Sequence, residues 1–125
     1  MDTRAKILTP AAARRLPAPV AIATGLFDVL RAGHVRELRQ AREAAPGARL
    51  VAVALPMENA VLDQRARAEL AAALRVVDYV VIANRDEAHS LIDALDPVRV
   101  VRLEAADERR VSQLREHVHR RQTCA

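Results

Sequence analysis

The stretch Val20-Ala21-Ile22-Ala23-Thr24-Gly25-Leu26-Phe27-Asp28-Val29-Leu30-Arg31-Ala32-Gly33-His34 decides the fold. It opens with an apolar run, Val20 to Ala23, that closes at Thr24 and Gly25. A segment follows in which Val35, Leu38 and Ala41 share one helical face. A strand that turns at a glycine straight into a helix is the first half of a β-α-β unit. Gly25 allows a close backbone approach, and the free N–H groups of the helix start beyond Gly33 carry partial positive charge toward the same point. In a parallel sheet that point lies at the carboxyl end of a strand, where ligands bind. A triphosphate or pyrophosphate fits such a loop.

Outward from this unit, Leu50 to Leu55, Tyr79 to Ala83 and Val98 to Leu103 are three more apolar runs. Their near-continuous apolar character predicts strands buried on both faces. Leu70, Ala73, Leu74 and Val77 form the stripe of a second helix, and Leu91, Ile92 and Leu95 that of a third. Pro46-Gly47 closes the first helix, Asp63 caps the second, and Asp96-Pro97 ends the third. Thr9 caps a short helix to Leu16 with Pro10 in its first position. Asp107 to Arg121 reads as a last helix with Val111, Leu114 and Val118 on one stripe, acids in its first turn and arginines in its last. The alternation predicts a small Rossmann-like three-layer α/β sandwich with a mostly parallel sheet, in a single domain over residues 1–125.

Composition narrows the function. Ala, Val and Leu dominate the apolar residues and aromatics are 2%, which suits helices packed closely on aliphatic strands. The net charge of +4 raises the question of a nucleic-acid partner. Yet all basic residues but Lys6 are arginines interleaved with acids, and base-stacking aromatics are nearly absent, so that partner is disfavoured. No apolar run nears the roughly 20 residues that span a bilayer, and the N-terminus lacks a signal-peptide pattern; a cytoplasmic protein without a membrane partner is expected. Cys124 stands alone, which excludes an internal disulfide and a cysteine metal site. His117 and His119 point to different faces of a helix, so no metal site is assigned.

With these residues in view, the chain resembles the cytidylyltransferase-like nucleotidyltransferases, especially the heptose-phosphate adenylyltransferase domain and glycerol-3-phosphate cytidylyltransferase. Their opening, Gly-x-Phe-Asp-x-x-His-x-Gly-His followed by a helix with Leu four residues on, is matched by Gly25, Phe27, Asp28, Gly33, His34 and Leu38. Arg67 to Val81 is similar to the second helix and next strand of the heptose-phosphate enzymes, and Ile7 to Arg15 to their lead-in. The resemblance implies transfer of a nucleoside monophosphate from CTP or ATP, with Mg²⁺, to a sugar or polyol phosphate, with release of pyrophosphate. It implies a catalytic role for His34 and for Arg31, which stands where the motif has its first histidine. It implies nucleotide contacts from Thr24, Gly25, Leu26, Phe27, Asp28, Gly33 and Arg67, and a homodimer.

The residues also keep plainer alternatives open. His34 can cap or pack; Asp28 can hold its loop through backbone N–H groups rather than meet Mg²⁺; Arg67 and Arg75 can pair with Glu69 and similar neighbours. Glu87 and His89 carry no recognisable spacing. Three departures from the family pattern thin the catalytic equipment. Arg31 replaces a histidine, the short Pro56 to Leu62 connection contains none of the family's loop lysine, and no Ser-Thr segment opens a C-terminal helix. Glu104-Ala105-Ala106-Asp107 stands where the family has a Lys-Gly-Gly-Asp-Tyr-like segment, and an acid there repels phosphate. The alternative to a transferase is therefore a non-catalytic pseudoenzyme that binds a nucleotide or a partner chain on a truncated version of the family domain.

Overall fold

The computed structural model describes residues 2–28, 30, 32–105, 108–109 and 116–118. A two-residue strand β1 (Ile7–Leu8), which the sequence does not announce, precedes the four expected ones: β2 (Val20–Gly25), β3 (Arg49–Ala54), β4 (Tyr79–Ile82) and β5 (Arg99–Arg102). They form one sheet in the order β1-β4-β3-β2-β5, and every pairing is parallel. The helices are α1 (Pro10–Ala13), α2 (Ala32–Ala44), α3 (Gln64–Ala72) and α4 (Arg85–Leu95).

Side-chain size sorts these elements into layers. Along β2 and β3 successive side chains point to opposite faces. Ala21, Ala23, Ala52 and Ala54 share a core with Leu38 and Ala41 of α2 and with Ala68, Ala71 and Ala72 of α3. Val20, Ile22, Val51 and Val53 pack instead with Ala13 of α1 and with Ala88 and Leu91 of α4. Alanine facing alanine lets α2 and α3 lie close to the sheet, and larger branched residues fill the other side. The result is a three-layer α/β sandwich of Rossmann-like type, and among the described residues no helix is long and apolar enough to cross a membrane.

The expected punctuation is in place. The Thr9 hydroxyl accepts from the Ala12 N–H at 3.1 Å and the Asp63 carboxylate from that of Ala66 at 2.7 Å, each satisfying a free donor of its helix start. Gly47 follows α2 with φ +81° and Asp96 ends α4 with φ 45°, both in the left-handed region. The chain's one lysine is a structural part. Lys6 Nζ donates to the carbonyls of Leu74 at 3.2 Å and Val77 at 2.9 Å, closing the turn between α3 and β4.

Four expectations need correction. The stripe of the second helix is Ala68, Ala71 and Ala72 with Arg67, whereas Leu70 is 38% exposed; α3 ends at Ala72, before the Leu74 and Val77 that suggested a longer face. Burial on both faces holds for β2 but fails for β5, which pairs with β2 alone and leaves Val98 62% exposed beside it. Glu87 does have a spacing: with Asn84 it forms a capping box, the Glu87 N–H donating to Asn84 Oδ1 at 2.7 Å and the Asn84 N–H to Glu87 Oε1 at 3.0 Å. The i,i+4 partner of Glu69 is Arg65, at 3.3 Å, rather than Arg67 or Arg75. The last helix expected over 107–121 lies mostly outside the described residues, as do His119 and Cys124.

The topology fixes where a ligand can sit. From β2 the chain steps through β3 to β4 on one side, then returns by α4 to place β5 on the other side of β2. This reversal opens a crevice at the carboxyl ends of β2 and β5, the switch point of an open parallel sheet.

Candidate functional site

Gly25 ends β2, and the loop beyond it folds back on the strand. Phe27 takes φ 55°, and its ring lies where a side chain on Gly25 would stand: a Cβ there would be 2.9 Å from Cζ. Gly25 is thus required by the packing of Phe27 itself. Leu26 and Phe27 are both buried, so the two residues expected to touch a nucleotide contribute their side chains to the core.

Asp28 acts as the loop holder. Its Oδ2 accepts from the Val61 N–H at 2.9 Å and its Oδ1 from the Leu62 N–H at 2.8 Å, which ties the loop after β2 to the connection after β3. Among the described residues no group of three or more His, Cys, Asp or Glu side chains is arranged to hold a metal ion.

Arg67 completes the tie from below. It is 2% exposed, and Nη1 donates to the carbonyls of Leu26 at 2.6 Å and Leu55 at 2.7 Å, while Nε donates to that of Leu62 at 3.2 Å. One planar guanidinium thereby satisfies carbonyls from three segments, a task that suits its fixed fork of donors. Burial lowers its pKa from the ordinary value, and the nearby charges of Asp28 and Asp63 act in the opposite direction. An open cleft of about 380 Å³ lies over this region, lined by residues of the Pro56 to Leu62 connection with Asp63, Gln64 and Arg67.

On the helix side of the loop, Gly33 and His34 occupy the first turn of α2, with His34 only 3% exposed. Arg31 lies outside the described residues, as does Val29. At the crevice itself, Thr24 Oγ1 donates to Glu104 Oε2 at 2.7 Å, with both residues buried. The Leu103 N–H donates to the Thr24 carbonyl at 2.8 Å, continuing the β2–β5 ladder and carrying Glu104 to that position. Together with Leu55, Arg85, Ala88, His89 and Arg102, these two line a notch of about 20 Å³. Arg85 also pairs with Glu108 at 3.4 Å on the surface.

Arg85, His89 and Arg102 carry no sequence pattern that points to this notch. The signal that locates them is positional: Arg85 and His89 begin the helix after β4 and Arg102 ends β5, both beside the switch point. A parallel α/β sheet with a glycine-bearing loop and a helix start at its switch point defines a small Rossmann-like domain.

No family model matches the chain. A D-beta-D-heptose 1-phosphate adenylyltransferase of Bordetella bronchiseptica is 38% identical over 111 residues, 80% of this chain and 67% of that protein. The bifunctional protein HldE of Nitrobacter hamburgensis is 37% identical over 89 residues, and that of Bradyrhizobium diazoefficiens 39% over 90. These alignments cover 62% and 66% of this chain but only 17% and 18% of the two-function proteins. A lipopolysaccharide core biosynthesis protein of Thermoplasma volcanium shares the fold with a TM-score of 0.58 and 24% identity, over 66% of this chain and 71% of its own. The chain belongs to the cytidylyltransferase-like nucleotidyltransferases, the family of the heptose 1-phosphate adenylyltransferases.

Proposed function

We propose that this protein binds an adenine nucleotide at the loop after β2 and the start of α2, and that it has lost the rapid transfer of a nucleoside monophosphate to a sugar phosphate. The family supports the first half, since relatives are named for adenylyl transfer to a heptose 1-phosphate. Gly25, Gly33 and His34 keep the frame of the loop, with His34 as the side chain that donates to a phosphate oxygen.

One observation carries the second half. The connection from Pro56 to Leu62 contains no lysine and is fastened at Val61 and Leu62 by Asp28 and at Leu62 by Arg67. In the resemblance stated above, this connection brings a lysine to the nucleotide phosphates. Here it is a short turn fixed from both sides, and Lys6 is committed to carbonyls near β4. Phosphate chemistry depends on cations preplaced where charge develops, and the turn offers none.

Titration calorimetry with ATP, CTP and CMP in the presence of Mg²⁺ tests the binding half. Saturable heat with ATP, weakened by about tenfold or more in a folded His34→Ala variant, is the expected result. Absence of nucleotide binding by the unaltered protein would refute it.

A further inference from the structure

Glu104 is a buried carboxylate with half of its hydrogen bonding unmet. Its Oε2 accepts from the Thr24 hydroxyl at 2.7 Å, whereas among the described residues its Oε1 has neither a hydrogen-bond nor an ion-pair partner. The residue is only 9% exposed, so little of its hydration is kept. No cation compensates: Arg85, His89 and Arg102 are exposed, and Arg85 turns to Glu108 at 3.4 Å. A buried acceptor left unsatisfied is costly, which points to a donor supplied from outside the chain.

Position and size define that donor. The bond from the Leu103 N–H to the Thr24 carbonyl sets Glu104 beside Thr24, which directly precedes Gly25 and its loop. This is the carboxyl end of β2 at the switch point, where an open parallel sheet receives its ligand. The notch that Glu104 lines, about 20 Å³, holds on the order of one water. A phosphate offers acceptors and is repelled by the carboxylate. A metal ion needs several ligands, and among the described residues no three metal-ligating side chains gather. A hydroxyl is a neutral donor of the right size, and a nucleotide carries hydroxyls of that kind on its ribose, the part joined directly to the phosphates.

We propose that Glu104 Oε1 accepts a ribose hydroxyl of the bound nucleotide, which makes Glu104 the residue that selects a ribonucleotide over a deoxyribonucleotide. The inference rests on the nucleotide-binding reading and deepens it. Phosphates lie toward Gly33 and His34, and the nucleoside lies toward Thr24 and Glu104. Thr24 is then a positioning residue, because its hydroxyl proton orients the carboxylate.

Titration calorimetry of the full-length protein with ATP, 2′-deoxy-ATP, 3′-deoxy-ATP and ITP, all with Mg²⁺, tests this beside Glu104→Met and Glu104→Ala. Melting curves control for folding. The readout is the ratio of affinities for ATP and each analogue, in which any change in repulsion of the phosphates cancels. In the unaltered protein one deoxy analogue is expected to bind about tenfold more weakly than ATP or worse, as loss of a hydrogen bond to a charged acceptor implies. In both Glu104 variants that ratio is expected to fall to about one.

Equal binding of ATP and both deoxy analogues by the unaltered protein overturns the proposal and leaves the nucleotide reading intact. A ratio that persists in the variants also overturns it, as does unfolding of both, which gives the carboxylate a structural task alone. Should ITP carry the loss in place of a deoxy analogue, the carboxylate meets the base and the ribose assignment fails. If the unaltered protein binds none of these nucleotides, the nucleotide reading falls and this inference with it.

Discussion

Replacing Arg67 by alanine lowers the stability of this protein by about 3 kcal/mol or more, because it strips the donor from two buried carbonyls and one part-buried one. The side chain serves Leu26, Leu55 and Leu62, which are 41, 12 and 5 residues away in sequence. Each orphaned buried acceptor costs roughly 1–3 kcal/mol, and the cavity left by the guanidinium adds to that. For a domain of this size the melting temperature falls by roughly 10 °C or more. Arg67→Lys recovers only part of the loss, since a single ammonium has no planar fork to span the carbonyls. Circular-dichroism melting of the three proteins checks this, and a change below about 2 °C in Arg67→Ala would show that the tie is not structural. Faster hydrogen exchange at the Val61 and Leu62 amides accompanies the loss, because Asp28 and Arg67 fasten the same turn.

Phe27→Ala has an effect of similar size, about 3–5 kcal/mol, from the cavity left by a fully buried ring. Its φ of 55° adds a second signature. Alanine retains the roughly 1–2 kcal/mol strain of the left-handed region, and glycine does not. Phe27→Gly is therefore expected to be no less stable than Phe27→Ala, the reverse of the usual order of the two residues. Urea unfolding of both variants distinguishes the cases. Once the ring is gone, the clash that Gly25→Ala creates at 2.9 Å goes with it, so the two positions are coupled rather than additive.

The sheet and its helices were legible because they depend on local pattern. Apolar runs marked β2 to β5, and Asp63, Pro46-Gly47 and Asp96 marked helix ends through capping and left-handed geometry that neighbouring residues determine. The failures share a different cause. The run Val98 to Leu103 marks a strand by its valines, and only its two arginines, Arg99 and Arg102, hint that β5 has a neighbour on one side alone. Leu70 fitted the stripe by hydrophobicity, yet close packing on Ala52 and Ala54 selected Ala68, Ala71 and Ala72 instead. The Asn84 to Glu87 box, by contrast, is a local pattern of capping residues three apart.

At the site the loop itself was legible and its wiring was not. Gly25, Phe27 and Asp28 were read as parts of a ligand cradle, but their immediate tasks are ring packing and the fastening of a distant turn. Thr24 and Glu104 meet across 80 residues, and no periodicity encodes such a meeting. Only the strand order, with β5 returning beside β2, brings them together.

On the proposed function, the protein holds a nucleotide without transferring it. Losing one preorganised donor typically costs on the order of 10²–10³ in rate. With the loop lysine missing and Arg31 in place of the motif's first histidine, a deficit of about 10³ or more is expected, even though such losses do not add simply. The direct measurement is pyrophosphate release from saturating ATP and Mg²⁺ with heptose 1-phosphate as acceptor. Release indistinguishable from the protein-free control, under conditions where calorimetry shows bound ATP, is the predicted result. Steady multiple-turnover release with formation of the nucleotide sugar would contradict it.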